Sequence, residues 1–201
     1  MNWIGRKFDF LGAGFMAGRN GMEGVLALNW LVDRVGQGAL KAAGRAFESS
    51  KRARLRTQSM WLLHRLNAIT VEQLKSSAAH KHRKVRVHTM KVLAETPRWS
   101  RAHRELALAG LTDPDAFVQR AAADALGEHP HAGAVRPLLD GLSKAPAKDT
   151  HLRLTYRMAL RNQFRLENAF QKLPQFELTA AEKATVADLM PRSSQFDRPR
   201  F

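Results

Sequence analysis

The chain has 201 residues, no cysteine and a formal net charge of +15 at pH 7. Its length suits one compact domain or a row of about four or five helical hairpins. The lack of cysteine excludes disulfides and thiolate metal sites. No apolar run approaches the roughly 18 residues that a membrane-spanning helix needs. The first residues lack a signal-peptide pattern, so a cytoplasmic location is the default expectation.

The positive charge is concentrated in the first part of the chain. Residues 1–110 hold 20 Lys and Arg against 7 Asp and Glu, whereas residues 111–201 hold 13 against 11. An anionic partner is therefore expected to meet the first part of the protein.

Residues 1–28 are rich in glycine and are predicted to form a lead-in or cap. The glycines do not follow the Gly-x-Gly-x-x-Gly pattern of a phosphate cradle. Four aromatic side chains are expected to cover the open end of the helices that follow: Trp3, Phe8, Phe10 and Phe15.

Hydrophobic periodicity and breaker residues predict four helical hairpins over residues 29–165. The predicted helix pairs span about residues 25–45 and 51–66, 70–79 and 84–95, 100–111 and 113–127, and 133–143 and 149–164. Thr70 with Gln73 forms a predicted capping box, and Asp149 or Thr150 is predicted to cap the last helix.

Two shorter stretches follow the four hairpins. Residues 166–190 are predicted to hold part of a further hairpin, with a helix opened by Thr179 and Glu182. Residues 191–201 are polar, contain two prolines and are predicted to be a disordered tail.

The helix predicted at residues 113–127 carries its own start and stop signals. Asp113 is predicted to cap it, and Pro114 fits the first helical position. Gly127 is predicted to end it. One face of the helix is apolar: Val118, Ala121, Ala122, Ala125 and Leu126.

The same apolar pattern occurs four times. The copies align on Leu55, Val85, Val118 and Leu152, with spacings of 30, 33 and 34 residues. A period in this range is typical of stacked helical hairpins, in which each unit covers its neighbour. The predicted core consists of two residues from each copy: Leu55, Leu63, Val85, Leu93, Val118, Leu126, Leu152 and Leu160.

With its acidic start, aliphatic residue and following small residues, the stretch from Asp113 to Ala121 resembles the second helix of HEAT repeats. The runs Met60 to Leu66, Val85 to Glu95 and Asp149 to Arg153 resemble, more narrowly, the HEAT segment of large bacterial multidomain proteins. Those proteins join a propeller-type membrane-bound dehydrogenase, HEAT repeats and a c-type haem domain. The haem motif Cys-x-x-Cys-His is absent here, so the resemblance extends to the helical array alone.

The resemblance implies an all-α fold: a right-handed α-solenoid of about four HEAT-like hairpins. It also implies an exported protein if the chain is a piece of such a larger polypeptide. At the position where HEAT proteins place a ladder arginine, the four copies have Arg56, Arg86, Gln119 and Arg153. By resemblance these side chains would bond carboxylates or carbonyls of adjacent loops, and Gln119 departs from the pattern.

Two basic clusters occupy equivalent places in the first two hairpins: Lys51, Arg52 and Arg54, then Lys81, Arg83 and Lys84. Equivalent loops line one edge of a helical array, so they are candidates for an anion-binding or nucleic-acid-binding edge. A solvated basic edge without a specific partner is the alternative. Trp61 is interpreted as a packing residue, with base stacking as its alternative.

The sequence contains no recognisable catalytic or metal-binding motif. The pairs His80-x-His82 and His129-x-His131 are interpreted as solvated histidines, since zinc requires three or four ligands. HEAT-like DNA glycosylases for alkylated purines are similar in size and charge. Their pattern of aromatic residues and an Asp finds only a scattered counterpart in Trp99, Phe117 and Asp124.

The sequence therefore favours a non-catalytic scaffold for protein–protein or interdomain contacts, with no cofactor and no small-molecule substrate. Sequence-independent nucleic-acid binding through the basic edge of the first two hairpins is the alternative.

Overall fold

The computed structural model describes residues 21–165 and 177–189, with side chains from Gly24 onward. The predicted aromatic cap at Trp3, Phe8, Phe10 and Phe15, much of the partial hairpin and the predicted tail lie outside these residues. Across the described residues the protein is helical and contains no β-strand.

Ten α-helices are present in this part of the chain. They are α1 (Gly21–Trp30), α2 (Leu40–Ser49), α3 (Ala53–Arg65), α4 (Val71–Ala78), α5 (Arg83–Glu95), α6 (Arg101–Gly110), α7 (Ala116–Glu128), α8 (Val135–Lys144), α9 (Thr150–Gln163) and α10 (Ala180–Leu189). The chain divides into two compact units, Met1–Leu106 and Ala107–Phe201, with the boundary inside α6.

In the first unit, the single helix predicted at about residues 25–45 is wrong. The chain leaves α1 through a π-helical turn, Leu31–Val35, and a 3-10 turn, Gly36–Ala39, before α2 begins. Gly36 has φ 55°, a left-handed conformation that other residues adopt only with strain. The α-helix is therefore interrupted at this point instead of continuing to residue 45.

The core of the first unit forms where α3 packs against α2 and α5. Phe47, Leu62 and Val92 are fully buried there. Thr89 donates a hydrogen bond to Val85 O at 2.9 Å, so its hydroxyl is satisfied inside the core. Burial of these apolar side chains provides the main stabilisation of the packing between α2, α3 and α5.

Seven of the eight predicted core residues are buried: Leu63, Val85, Leu93, Val118, Leu126, Leu152 and Leu160. The prediction is wrong for Leu55, which is only partly buried. Leu55 lies in the first turn of α3, where a helix end leaves more of a side chain accessible.

In the second unit, α7 packs against α9, and α8 packs against α9. The prediction that Gly127 ends α7 is wrong, because the helix continues to Glu128 and Gly127 is buried within it. A Cβ at Gly127 would lie 3.2 Å from the Cα of Ala159. The glycine therefore allows close approach of α9.

Asp113 was predicted to cap α7, and this is also wrong. The N-cap is Asp115, whose carboxylate accepts a hydrogen bond from Phe117 N at 2.9 Å. Asp113 instead accepts one from Asp115 N at 2.9 Å. Pro114 therefore precedes the helix, consistent with the bias of a residue before proline away from helical geometry.

The other predicted caps are confirmed. Thr70 and Gln73 form a reciprocal capping box at α4. Asp149 caps α9 by accepting from Leu152 N at 3.0 Å. Thr179 and Glu182 bond each other at the start of α10.

Candidate functional site in the first unit

The four ladder residues hold their own hairpins together. Each donates a hydrogen bond to a backbone carbonyl in the preceding helix or the loop after it. The pairs and N–O distances are Arg56 to Phe47 (3.1 Å), Arg86 to His80 (3.0 Å), Gln119 to Asp113 (2.7 Å) and Arg153 to Ala145 (3.1 Å). The amide of Gln119 thus makes the same kind of bond as the three guanidinium groups.

Arg56 makes further contacts. Its Nη2 donates to Ser76 Oγ at 3.1 Å, and its guanidinium lies 4.3 Å from the centroid of the Phe47 ring. The first ladder residue is therefore engaged by the packing of its hairpin.

The six predicted basic-edge residues are exposed, and two of them line a groove in the described part of the first unit. Arg54 and Lys84 lie on the wall of a groove between α1, α3 and α5. The other four lie outside the groove lining: Lys51, Arg52, Lys81 and Arg83.

The groove has a volume of about 850 Å³. On α3 its wall is formed by Arg54, Gln58, Trp61 and Arg65, at spacings of i, i+4, i+7 and i+11. These spacings select one helical face. On α5 the same face contributes Lys84, His88 and Glu95.

Helix α1 forms the third wall and comes close to α3 at Gly24. A Cβ at this glycine would lie 1.9 Å from Gln58 Nε2, so only glycine fits without displacing Gln58. Asn29 on the same helix accepts a hydrogen bond from Arg65 Nη1 at 2.5 Å. Val25 is 56% exposed on this wall.

Trp61 and His88 connect the two hairpins across the groove. Trp61 Nε1 donates to His88 Nδ1 at 2.9 Å. The Trp61 ring also lies edge-on to His64, with centroids 5.7 Å apart. Because Nδ1 is the acceptor, the bond requires a neutral His88 with its proton on Nε2. The bond accounts for the part-buried position of Trp61.

Burial lowers the pKa of His88 from its ordinary value of 6.5, and Lys91 and Lys84 lower it further. The imidazole of His88 therefore becomes protonated at a higher pH in the unfolded chain than in the folded chain. The stability that neutral His88 contributes should be complete above about pH 6.5 and should be lost as the pH falls toward the lowered pKa.

His88→Asn tests this pH dependence, because the Asn Oδ1 retains an acceptor for Trp61 but does not titrate. We expect the variant to lose less stability than the native protein between about pH 7.5 and pH 5 in urea unfolding curves. Some dependence should remain, since burial also lowers the pKa of His64. Equal pH dependence in both proteins would contradict the role assigned to His88.

The His-x-His pairs have local structural roles that their interpretation as solvated histidines did not include. The Nδ1 atom of His82 accepts from Lys84 N at 3.2 Å and caps α5. The Nδ1 atom of His131 accepts a hydrogen bond from Gly133 N at 3.0 Å. Within residues 21–165 and 177–189, no group of three or more His, Asp or Glu is arranged to hold a metal ion.

Sequence reasoning missed His88, Arg65 and Glu95 as members of the groove. A signal was present, because groove positions lie one residue before and three and ten residues after both Leu55 and Val85. The approach of α1 could not be found this way, since it depends on the contact of Gly24 with Gln58, which is distant in sequence.

The stacked hairpins of each unit identify a helical-repeat protein. Residues 71–160 match the family model described as HEAT repeats. No curated protein matches the chain at the level of sequence. One similar solved structure is the crystal structure of an engineered protein from the Northeast Structural Genomics Consortium. It has 15% identity and a TM-score of 0.48 over 94% of each chain.

No helix of the described residues is both long enough and apolar enough to cross a membrane.

Proposed function

We propose that this protein is a non-catalytic HEAT-repeat scaffold that binds another protein or another domain of a longer polypeptide, using the groove between α1, α3 and α5. HEAT repeats generally mediate protein–protein contacts. The observation that carries the proposal is the separation of roles on α3 and α5. The core and ladder residues stabilise the hairpins, whereas a different face presents cations and apolar side chains to a groove.

The chemistry of the groove suits binding better than catalysis. Its guanidinium, ammonium and amide groups bind anions and polar groups. Nδ1 of His88 is occupied by Trp61. In the glycosylase alternative, Trp99 would have to serve the reaction, but its indole N–H donates to Leu93 O at 2.9 Å and anchors the ring at the end of α5.

Site-specific photo-crosslinking tests the scaffold proposal. A photoreactive amino acid replaces Val25 on the wall of the groove, or Lys91 on the adjacent exposed surface of α5, and cells of the natural host are irradiated. We expect a discrete protein adduct from these two positions. The matched control replaces Lys148, which is exposed in the loop before α9 and should give no adduct of the same mass.

The proposal would be contradicted if no protein adduct formed at Val25 or at Lys91, or if the same adducts formed at Lys148.

Reading the coding sequence on both sides of this chain tests the narrower resemblance to multidomain dehydrogenase and haem proteins. An adjoining propeller domain and a Cys-x-x-Cys-His motif in one open frame would support it.

A further inference from the structure

We infer that the groove binds an acidic peptide segment of the partner, one in which apolar side chains accompany the carboxylates. This inference rests on the proposed function and specifies the chemistry of its partner. Three features of the groove carry it: its cations, its apolar wall and its unsatisfied amide oxygen.

The cations of the groove come from equivalent positions in successive repeats. Arg54 and Lys84 each precede the aligned core residue by one position, and both lie in the first turn of their helix. The amino-terminal ends of α3 and α5 add to the positive potential there. Arg65 contributes a third cation to the lining, and Lys91 lies close enough to His88 to lower its pKa. Carboxylates complement this surface.

The wall formed by α1 carries apolar side chains beside Asn29. Val25 and Leu28 line the groove, and the neighbouring Leu26 and Trp30 are 59% and 54% exposed. A ligand that provided only charge would leave this surface in water. A segment with leucine or phenylalanine beside its carboxylates would remove apolar area from water and gain affinity.

Polar atoms in the groove favour a peptide backbone over the phosphate backbone of a nucleic acid. Gln58 Oε1 and Thr57 Oγ1 are buried and have no hydrogen-bond partner, although both residues line the groove. A peptide backbone supplies N–H donors, and the Gln58 side chain can rotate so that its Oε1 accepts a hydrogen bond from one of them. A phosphodiester supplies no such donor.

One further group opposes a nucleic acid in this groove. The Trp61 ring is engaged by His88 and His64, so it is not an open platform for base stacking.

Fluorescence anisotropy with three labelled probes tests the inference on the full chain. The first probe is a short peptide that alternates Glu with Leu and Phe, the second has Gln in place of each Glu, and the third is single-stranded DNA of the same charge as the first. We expect the first peptide to bind with a Kd of about 100 μM or tighter, and the Gln peptide to bind at least about tenfold more weakly.

Lys84→Glu supplies the matched variant. It should weaken binding of the Glu peptide about tenfold or more, because it places like charges together. The new carboxylate sits in the first turn of α5, where the helix dipole favours it, and the cap from His82 to the backbone of residue 84 is unaffected. Folding should therefore be preserved. The control, Lys148→Glu, makes the same charge change outside the groove and should alter the Kd by less than about twofold.

Three results would overturn the inference: equal binding of the Glu and Gln peptides, no difference between Lys84→Glu and Lys148→Glu, or tighter binding of the DNA than of the Glu peptide. The third would indicate a nucleic-acid partner instead. Failure of the acidic-segment inference can be distinguished from failure of the scaffold proposal. Protein adducts at Val25 that the Glu peptide does not compete away would contradict only the acidic-segment inference, whereas no adduct would contradict the scaffold proposal.

Discussion

Gly141→Ala should destabilise the second unit by about 2 kcal/mol. A Cβ at Gly141 would lie 2.5 Å from Cε1 and 2.6 Å from Cζ of Tyr156. Tyr156 is completely buried, and its hydroxyl donates to Leu111 O at 3.3 Å, so the rigid ring cannot move aside without breaking packing and a hydrogen bond. Overpacking of this kind outweighs the gain of up to about 1 kcal/mol that alanine normally gives over glycine within a helix.

The matched control is Gly44→Ala in α2. No atom outside its own helix lies within 4 Å of a Cβ at that position. The same substitution should therefore raise the free energy of unfolding of the first unit by about 0.5 to 1 kcal/mol, through helix propensity alone. Urea unfolding monitored by circular dichroism measures both variants. Effects of the same sign would contradict the packing at Tyr156.

A second measurement identifies the cause. Combining Gly141→Ala with Tyr156→Leu removes the ring atoms that the new methyl group would meet, so the double variant should lose less stability than the sum of the two single changes. The chain has one tyrosine, and burial raises the pKa of Tyr156 to about 12. If the methyl group displaces the ring toward solvent, tyrosinate absorbance should appear at lower pH in Gly141→Ala.

The second helix of each hairpin was predictable because its signals are local. The aligned residues Leu55, Val85, Val118 and Leu152 each lie in the first turns of a helix whose bounds differ from the prediction by only a few residues. An apolar stripe of helical period stays recognisable in sequence because it must be buried. Side-chain caps such as those of Thr70 and Asp149 are equally local, since they act within three residues.

The errors concern residues whose role depends on a distant part of the chain. Gly127 has the sequence signature of a helix end, but its real constraint is the approach of Ala159, 32 residues later. Gly36 was expected only to weaken a helix, although its positive φ interrupts the helix between α1 and α2. Sequence pattern alone does not distinguish a glycine that ends a helix from one that lets another helix approach.

The candidate site could be predicted only in part. Arg54 and Lys84 were identified from charge clusters at equivalent places in two repeats, and both reach the groove. Lys51 and Arg52 belong to the same clusters but precede α3, and only residues within a helix are placed on one face by its period. The apolar wall could not be predicted, because α1 contacts α3, a helix from which it is separated in sequence by α2.

Gln163→Leu should destabilise the second unit by about 2 to 3 kcal/mol. The Gln163 amide is completely buried and connects two separate segments. Its Nε2 donates to Leu126 O at 2.7 Å, and its Oε1 accepts from His131 N at 2.6 Å. Leucine has a similar size but makes neither bond, so a buried carbonyl at the end of α7 and the amide of the following loop would lose their partner.

The adjacent amide provides the control. Asn162 Nδ2 donates to Gly127 O at 3.2 Å, but its Oδ1 is buried without a partner. Asn162→Ala therefore removes one long hydrogen bond and one unsatisfied acceptor together, and the free energy of unfolding should change by no more than about 1 kcal/mol. Urea unfolding should rank Gln163→Leu well below Asn162→Ala in stability. If the two variants proved equally stable, the connection between α7, its following loop and α9 would not depend on Gln163, and helix packing around Gly127 would have to maintain it alone.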